Sequence, residues 1–489
     1  MPCLYNRLSI KFTRISRHPF PILYINRTHL PATMSSSSKR KPSDAPVSPP
    51  PLKRKLASGT TKGAVANFFT PTSQKPKDRT VWSERAPKND TPATLLVAKY
   101  EPEAKEETLT NKRRKVAAFD LDSTLIATSS GKKHASDGND WKWWHPSVPT
   151  RLKQLYNDEN YRLIILSNQA GLTLHPDPKS KTPKANVAKR VSDFKTKCAA
   201  VLAQLDLPVT LYAATAKDMF RKPRPGMWHE LCRDHDITDD VDLASSLFVG
   251  DAGGRVAVGA TARDFSCSDR NLAHNIGVPF KTPEEFFLDE PPRVFAREFD
   301  LALHPYVEAG GTDTGEGADE TPLFARKNKQ DVVLFCGPPG AGKSTFYWRQ
   351  LEPLGYERVN QDILKTREKC VKTARELLQG GKSVAIDNTN ADPDTRAVWV
   401  NLAKQHDVPV RCVWFKTPLF VCEHNDVVRA LNTTMNPEAR TALPQLAFNG
   451  FKSRFREPKA KEGFQDVTEL EFRFRGTREE HGVWARYWI

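Results

Sequence analysis

Four short apolar runs between residues 111 and 290 decide what this chain can fold into. "KVAAFD", "YRLIILSN", "PVTLYAAT" and "SSLFVGD" are each long enough for one strand, and all four end on a polar or acidic residue. Amphipathic stretches such as Asn186–Leu205 separate them. Strand and helix in alternation predict a parallel sheet, with reactive groups gathered at the carboxyl ends of its strands. The expected class is α/β. Four segments follow from composition: a disordered basic tail over 1–110, an α/β domain over 111–290, a linker over 291–328 containing "EAGGTDTGEGADETP", and a second α/β domain over 329–489.

Charge sharpens the division. Residues 1–115 hold 23 Lys+Arg against 8 Asp+Glu, whereas the remaining 374 residues hold 51 against 50. The basicity therefore belongs to the tail, and nucleic-acid binding by the folded part must come from local patches. The eight cysteines contain no CxxC pair, which speaks against a zinc ribbon or a secreted disulfide framework. No apolar run reaches 18 residues, the length a membrane span needs.

The first apolar run ends at "DLDST": Asp120 and Asp122 at a strand's carboxyl end, with Thr124 behind them. The second ends at Ser167–Gln169, "RKPRPGMW" surrounds Lys222, and the fourth run ends at Asp251. In this order the four pieces resemble the haloacid dehalogenase phosphatases, and each has a chemical role. Asp120 can attack phosphorus and carry the phosphoryl group as an acyl-phosphate. Asp122 can protonate the leaving oxygen and later deprotonate water. Asp120, Asp122 through its backbone, and Asp251 offer hard oxygen ligands suited to Mg²⁺. Ser167 and Asn168 can donate to phosphoryl oxygens, and Lys222 can balance the charge that develops there. Many relatives carry a second acid four residues after the metal aspartate; Arg255 stands there here, and Asp264 is the nearest substitute.

The second domain opens on "DVVLFCGPPGAGKST", a strand followed by G-x-x-x-x-G-K-S/T. Gly337, Pro338, Pro339, Gly340, Ala341, Gly342, Lys343, Ser344 and Thr345 form the expected ATP site. Backbone N–H groups cradle phosphates, Lys343 reaches the terminal ones and Ser344 holds Mg²⁺. "RVNQDIL" supplies Asp362 as a base for an acceptor hydroxyl, and "KSVAIDNTN" brings Asp387 and Asn388 as a second acidic element. Arg396 and Arg429 are candidate phosphate clamps in a lid.

Over roughly residues 112–489 the chain is similar to the polynucleotide kinase 3′-phosphatases. The similarity rests on "RKPRPGMW", "DFSCSDR", "GVPFKTPEEFF", "GPPGAGKSTF", "VNQDIL", "AIDNTN" and "FNGFKSRFREPKAKEGF". It implies a monomer that uses Mg²⁺ and ATP on DNA ends, removing a 3′-phosphate and phosphorylating a 5′-hydroxyl so that a break can be ligated. Animal members begin with a phosphopeptide-binding module, for which the first ~110 residues lack the composition. The family often has another Arg two residues before Arg429; this chain has Val427, and Arg440 is the candidate to compensate. RNA end repair is the alternative, because the same chemistry serves ribose ends. A non-enzymatic scaffold or a metabolite phosphatase fused to a nucleoside kinase fits the motifs less well. "DWKWWHP" places three Trp near the first site, either to stack on bases or to pack on their own domain.

The tail adds three expectations. Arg7, Lys11, Arg14, Arg17 and Arg27, with no acid in the first 33 residues, suit a mitochondrial presequence if translation starts at Met1; initiation at Met34 is the competing reading. "KRK" at 39–41 and again at 53–55 resembles a bipartite nuclear import signal, making the nucleus the expected compartment. "KGAVANFF" at Lys62–Phe69 resembles a peptide that docks on a sliding clamp, with Lys62 in place of the customary Gln, and a clamp or a ligase is the expected tail partner.

Overall fold

The computed structural model describes residues 79–103, 113–178, 183–259, 261–297, 299–307 and 323–489. The tail motifs at 1–33, 39–55 and 62–69 lie outside the described residues.

Alternate side chains of each apolar run face opposite cores. In β3 (Val116–Phe119) and β6 (Arg162–Asn168), residues Ala117, Phe119, Leu163 and Ile165 join one buried cluster, while Val116, Ala118, Ile164 and Leu166 join another. A sheet covered on both faces needs strands that are apolar throughout, which is why these runs do not alternate with polar residues. The first sheet also contains β1 (Thr80–Arg85), β2 (Leu95–Tyr100), β7 (Val209–Ala214), β8 (Leu247–Val249) and β9 (Phe280–Lys281), in the order β1-β2-β7-β6-β3-β8-β9. From β7 to β9 all neighbours are parallel, whereas β2 runs antiparallel to β7 and β1 antiparallel to β2. A two-stranded ribbon of β4 (Ile126–Ala127) and β5 (Lys142–Trp143) stands apart from it.

The second sheet is parallel throughout: β11 (Glu357–Val359), β12 (Val384–Ile386), β10 (Val332–Cys336), β13 (Val410–Phe415) and β14 (Asp466–Leu470), in that spatial order. Val332 and Leu334 pack on one side of it, Val333 and Phe335 on the other. The order puts β10, which carries the glycine-rich loop, at the sheet's centre.

Two boundaries differ from the sequence reading. The tail was expected to run to residue 110, but β1 and β2 extend the first sheet, and Leu95–Ala98 are fully buried. β2 pairs with β7, Leu95 opposite Ala214, a partner 119 residues away that supplies the burial its polar neighbourhood does not suggest. The linker expected over 291–328 is partly packed as well. Val294 and Ala296 bond the backbone of residues 254–256, Phe299 sits in an apolar cluster with Val421, Val428 and Trp484, and Phe324 lies in the second core.

Candidate active sites

The first site lies where β6, β3 and β8 end side by side. Asp120 follows β3, and its N–H donates to Val249 O at the end of β8 (2.9 Å). Lys222, in the loop after β7, donates from Nζ to Asp120 Oδ1 (2.6 Å) and to Leu166 O (2.7 Å), and lies 2.8 Å from Asp269 Oδ1. Asp251 completes the group: Asp120, Asp251 and Asp269 each offer an oxygen within 4.8 Å of the others. Burial drives Asp120 up to about 7 against the pull of Lys222, with Asp269 adding to the rise. Asp251 rises to about 8 through burial and the carboxyls of Asp120 and Asp269. Burial opposes the charge on Lys222 as well, but Asp120 and Asp269 outweigh it and its pKa is raised. One ammonium facing three carboxyls leaves an excess of negative charge, and an all-oxygen donor set of this kind fits a hard divalent cation.

Asp269 is the member of this cluster that sequence reading missed. It stands at the start of the helix Ser268–Ile276, and its Oδ2 accepts from Ala252 N (3.0 Å). Its approach requires Gly250, where an added Cβ would sit 2.3 Å from Asp269 Oδ2. Asp264, the expected substitute acid, is engaged elsewhere. It accepts from Gly253 N, Arg255 N and Arg255 Nε, and Arg255 also binds Glu284 (2.6 Å). Asp269 was legible only as part of the quoted "DFSCSDR", since nothing local aims its side chain at the site.

Asp122 is separate from that cluster and half exposed, held by Lys197 Nζ (3.0 Å) and Gln169 Nε2 (2.7 Å). Lys197 also escaped sequence reading. Its signal was a lysine on the apolar face of the helix Lys184–Leu205, between Phe194 and Val201 and itself buried. Ser167 is buried at the end of β6 and accepts from Gln169 Nε2 (2.9 Å). Asn168 behaves differently from its expected part as a side-chain phosphate donor. Its amide accepts from Lys222 N (2.9 Å) and donates to Lys222 O (3.0 Å), so it holds the lysine's backbone in place. Trp141, Trp143 and Trp144 pack against the core of their own domain, Trp144 beside Phe287 with ring centroids 6.1 Å apart. Of the two readings of this cluster, the packing one describes it.

The second site follows β10. Gly340 and Gly342 have φ of +79° and +90°, and a Cβ on Gly340 would sit 2.2 Å from Cys422 O, so this turn excludes side chains at both points. Lys343 Nζ donates to Gly337 O (3.0 Å) and Pro338 O (2.5 Å), and burial lowers its pKa. Ser344 Oγ donates to Asp387 Oδ2 (2.8 Å), which also binds Arg358 (2.6 Å). Asn360 caps the short helix Gln361–Leu364 and ties it to Asp387 O (2.7 Å), fixing where Asp362 emerges. Asp362 meets Arg440 at 2.7 Å. A cleft of about 1470 Å³ is lined by residues of the glycine-rich loop, Asp362, Asp387, Asn388, Arg429 and Arg440.

Arg429 faces this cleft and is paired with Asp426. Arg396 is not a clamp in a lid. It is fully buried, and all five of its N–H donors are engaged by Glu462 Oε1 and Oε2 and by the carbonyls of Asn390, Arg456 and Glu457. A guanidinium with five satisfied donors has none left for a phosphate. Arg358 is the cation at this site that sequence reading overlooked, because its position in β11 resembles an ordinary edge-strand residue.

The model of the family described as polynucleotide kinase 3 phosphatase matches residues 115–287, and that of an AAA domain matches 332–458. The bifunctional polynucleotide phosphatase/kinase of Schizosaccharomyces pombe is 39% identical over 400 residues, 81% of this chain and 86% of its own length. The chain belongs to the bifunctional polynucleotide phosphatase/kinase family. A protein of Acanthamoeba polyphaga mimivirus is 31% identical over 394 residues, covering 76% of this chain and 88% of its own. The polynucleotide 3′-phosphatase ZDP of Arabidopsis thaliana is 28% identical over 188 residues, 36% of this chain and 24% of its own. The phosphatase match takes in Asp120, Asp251 and Asp269 at the first sheet, and the AAA-domain match takes in the glycine-rich loop at the second.

Proposed function

We propose that this protein heals broken DNA ends, removing 3′-phosphates at the carboxylate cluster and phosphorylating 5′-hydroxyls from ATP at the glycine-rich loop. The observation that carries the reading is Lys222 Nζ wedged between Asp120 and Asp269 where three parallel strands end. An aspartate beside a fixed cation is arranged to attack an anionic phosphorus centre.

In the first reaction an Asp120 oxygen attacks phosphorus, the bond to the 3′-oxygen breaks, and Asp122 gives that oxygen a proton. Asp122 then takes a proton from water, whose oxygen displaces Asp120 and releases inorganic phosphate. Lys197 and Gln169 hold Asp122 in place for both transfers. Lys222 balances the charge on the phosphoryl oxygens, with Ser167 and the backbone of Asn168 at the same strand end. Asp120, Asp251 and Asp269 would hold Mg²⁺, which supplies charge neutralisation and orientation of the phosphate. In the second reaction Asp362 takes the proton of the 5′-hydroxyl as its oxygen attacks the γ-phosphorus and ADP leaves. Lys343, Arg429 and Arg440 neutralise the transferring group, and Ser344 and Asp387 would hold the Mg²⁺ that accompanies the nucleotide. The two basic clusters at 39–41 and 53–55 support a nuclear setting for DNA repair, and Lys62–Phe69 supports docking on a sliding clamp.

The test is a nicked duplex bearing a 3′-phosphate and a 5′-hydroxyl, with ATP and Mg²⁺, each end scored separately. Asp120→Asn should abolish only dephosphorylation and Lys343→Ala only phosphorylation. Wild type healing an RNA nick but no DNA nick would replace the substrate, and activity on neither would overturn the reading.

A further inference from the structure

The last residues of the chain follow the second domain, yet the backbone groups of Tyr487 and Trp488 hydrogen-bond to the first. Asn275, at the end of the helix Ser268–Ile276, donates from Nδ2 to Tyr487 O (2.7 Å), and its Oδ1 accepts from Tyr487 N (2.9 Å). Both polar groups of one residue's backbone are thus read by a single side chain. The second Nδ2 hydrogen goes to Pro223 O (2.8 Å), the residue following Lys222. Arg224, one residue further, is buried; it donates from Nε to Trp488 O (3.0 Å) and from Nη1 to Asp218 O (2.6 Å). The ring of Tyr487 lies between His274 (centroids 5.1 Å apart) and the Arg297 guanidinium (4.7 Å). The loop that presents Lys222 is therefore held from its own domain by Asn168 and from the far end of the chain by Tyr487 and Trp488.

We infer that the C-terminal segment Tyr487–Ile489 is a positioning element for the phosphatase, fixing the Lys222 loop through Asn275 and Arg224. The inference rests on the phosphatase reading of the carboxylate cluster. Lys222 must meet Asp120 and Asp269 at once, at 2.6 and 2.8 Å, and a buried ammonium between two carboxylates tolerates little displacement. A shift of ~1 Å in a positioned group can cost up to ~100-fold in rate. Recognition through backbone atoms has a second consequence. Replacing the side chains of Tyr487 or Trp488 alone leaves the bonds to Asn275 and Arg224 intact, so they are broken by deleting the segment or, for Tyr487, by changing Asn275.

The same segment reaches the kinase site. Trp484 donates from Nε1 to Asn425 Oδ1 (2.7 Å), and Asn425 donates from Nδ2 to Gly340 O in the glycine-rich loop (2.9 Å). A chain that ends at Arg486 keeps Trp484 but loses Trp488, whose Nε1 donates to Val483 O (2.9 Å), whereas Asn275→Ala leaves both in the chain, so the point variant separates the two anchors.

Three variants decide the matter: a stop after Arg486, Asn275→Ala and Asn275→Asp, the last keeping the acceptor for Tyr487 N–H while losing both donors. Each is measured for hydrogen exchange over residues 218–226 and for steady-state kinetics at both ends of a nicked duplex. The expected result is faster exchange over 218–226 together with an approximately tenfold fall in phosphatase kcat. KM for the 3′-phosphate and kinase kcat should stay within twofold, and Asn275→Asp, which sets a carboxylate oxygen against the carbonyls of Tyr487 and Pro223, should fall at least as far as Asn275→Ala. Unchanged exchange over 218–226 in both the truncated chain and Asn275→Ala would overturn the inference. So would equal losses of both activities with a lowered Tm, which would make the segment a general support. A wild type without 3′-phosphatase activity would fail the functional reading instead, and the exchange measurement would still decide this one.

Discussion

Gly250→Ala is the sharpest perturbation of the carboxylate cluster. The new methyl would lie 2.3 Å from Asp269 Oδ2 and 2.6 Å from its Cγ, whereas ordinary contact begins near 3.4 Å. Relief requires the carboxyl to move by about 1 Å, which disturbs the 2.8 Å contact its other oxygen makes with the Lys222 ammonium. Asp269 is almost completely buried, so the strain has no solvent-facing outlet. Overpacking of this kind costs about 1–3 kcal/mol in stability, and displacement of a positioned charge costs up to about 100-fold in rate. Phosphatase kcat on a 3′-phosphorylated oligonucleotide should therefore drop by roughly two orders of magnitude, while kinase turnover, which uses the other sheet, stays within about twofold. Gly253→Ala is the internal control, because its Cβ would approach nothing nearer than 3.2 Å, and it should lose far less. A Gly250→Ala enzyme with wild-type phosphatase kcat and an unchanged Tm would show that Asp269 does not need its present position.

Other outcomes follow from the same geometry. Asp120 and Asp251 are raised to about 7 and about 8, above the ~3.9 of an unfolded Asp, so between those limits the folded chain binds more protons than the unfolded one. Without a divalent cation this cluster's contribution to stability should fall as pH rises through that window. The gain in Tm on adding Mg²⁺ should be larger at pH 8.5 than at pH 6, where bound protons compete with the ion, and EDTA should abolish it. Arg396→Met should destabilise the chain by about 3 kcal/mol in denaturant, because it leaves Glu462 without its partner. The KM for ATP of the folded Arg396→Met enzyme should not change; Arg440→Ala should do the reverse, raising that KM with little loss of stability. Lys197→Met removes the ammonium that holds Asp122 and should lower phosphatase kcat by about tenfold with KM little altered, a split visible in steady-state kinetics.

What was legible in the sequence was legible for a local reason. Asp120, Ser167 and Asp251 sit at or just past the ends of apolar runs, and a run of that length in a strand–helix alternation delivers its last residues to one edge of a parallel sheet whatever else the chain does. The glycine-rich loop is similarly self-contained: Gly340 and Gly342 adopt positive φ, and Lys343 and Ser344 follow within four residues. Lys222 was legible through its motif, although its height between two carboxyls was not. Tertiary structure alone decided the remainder. Asp269 reaches the cluster because Gly250, 19 residues earlier, leaves room for it. Lys197 acts on Asp122 from a helix 75 residues away. Arg396 follows Thr395 and Arg440 precedes Thr441, each in a polar stretch, and only the partners around them separate a buried five-bond strut from a cation facing the cleft. β2 looked like the end of a basic tail until β7 covered its edge. Backbone conformation depends on a few neighbouring residues and can be read along the chain. Burial and charge pairing depend on which distant residue arrives alongside, and that is settled only when the sheets and helices have packed.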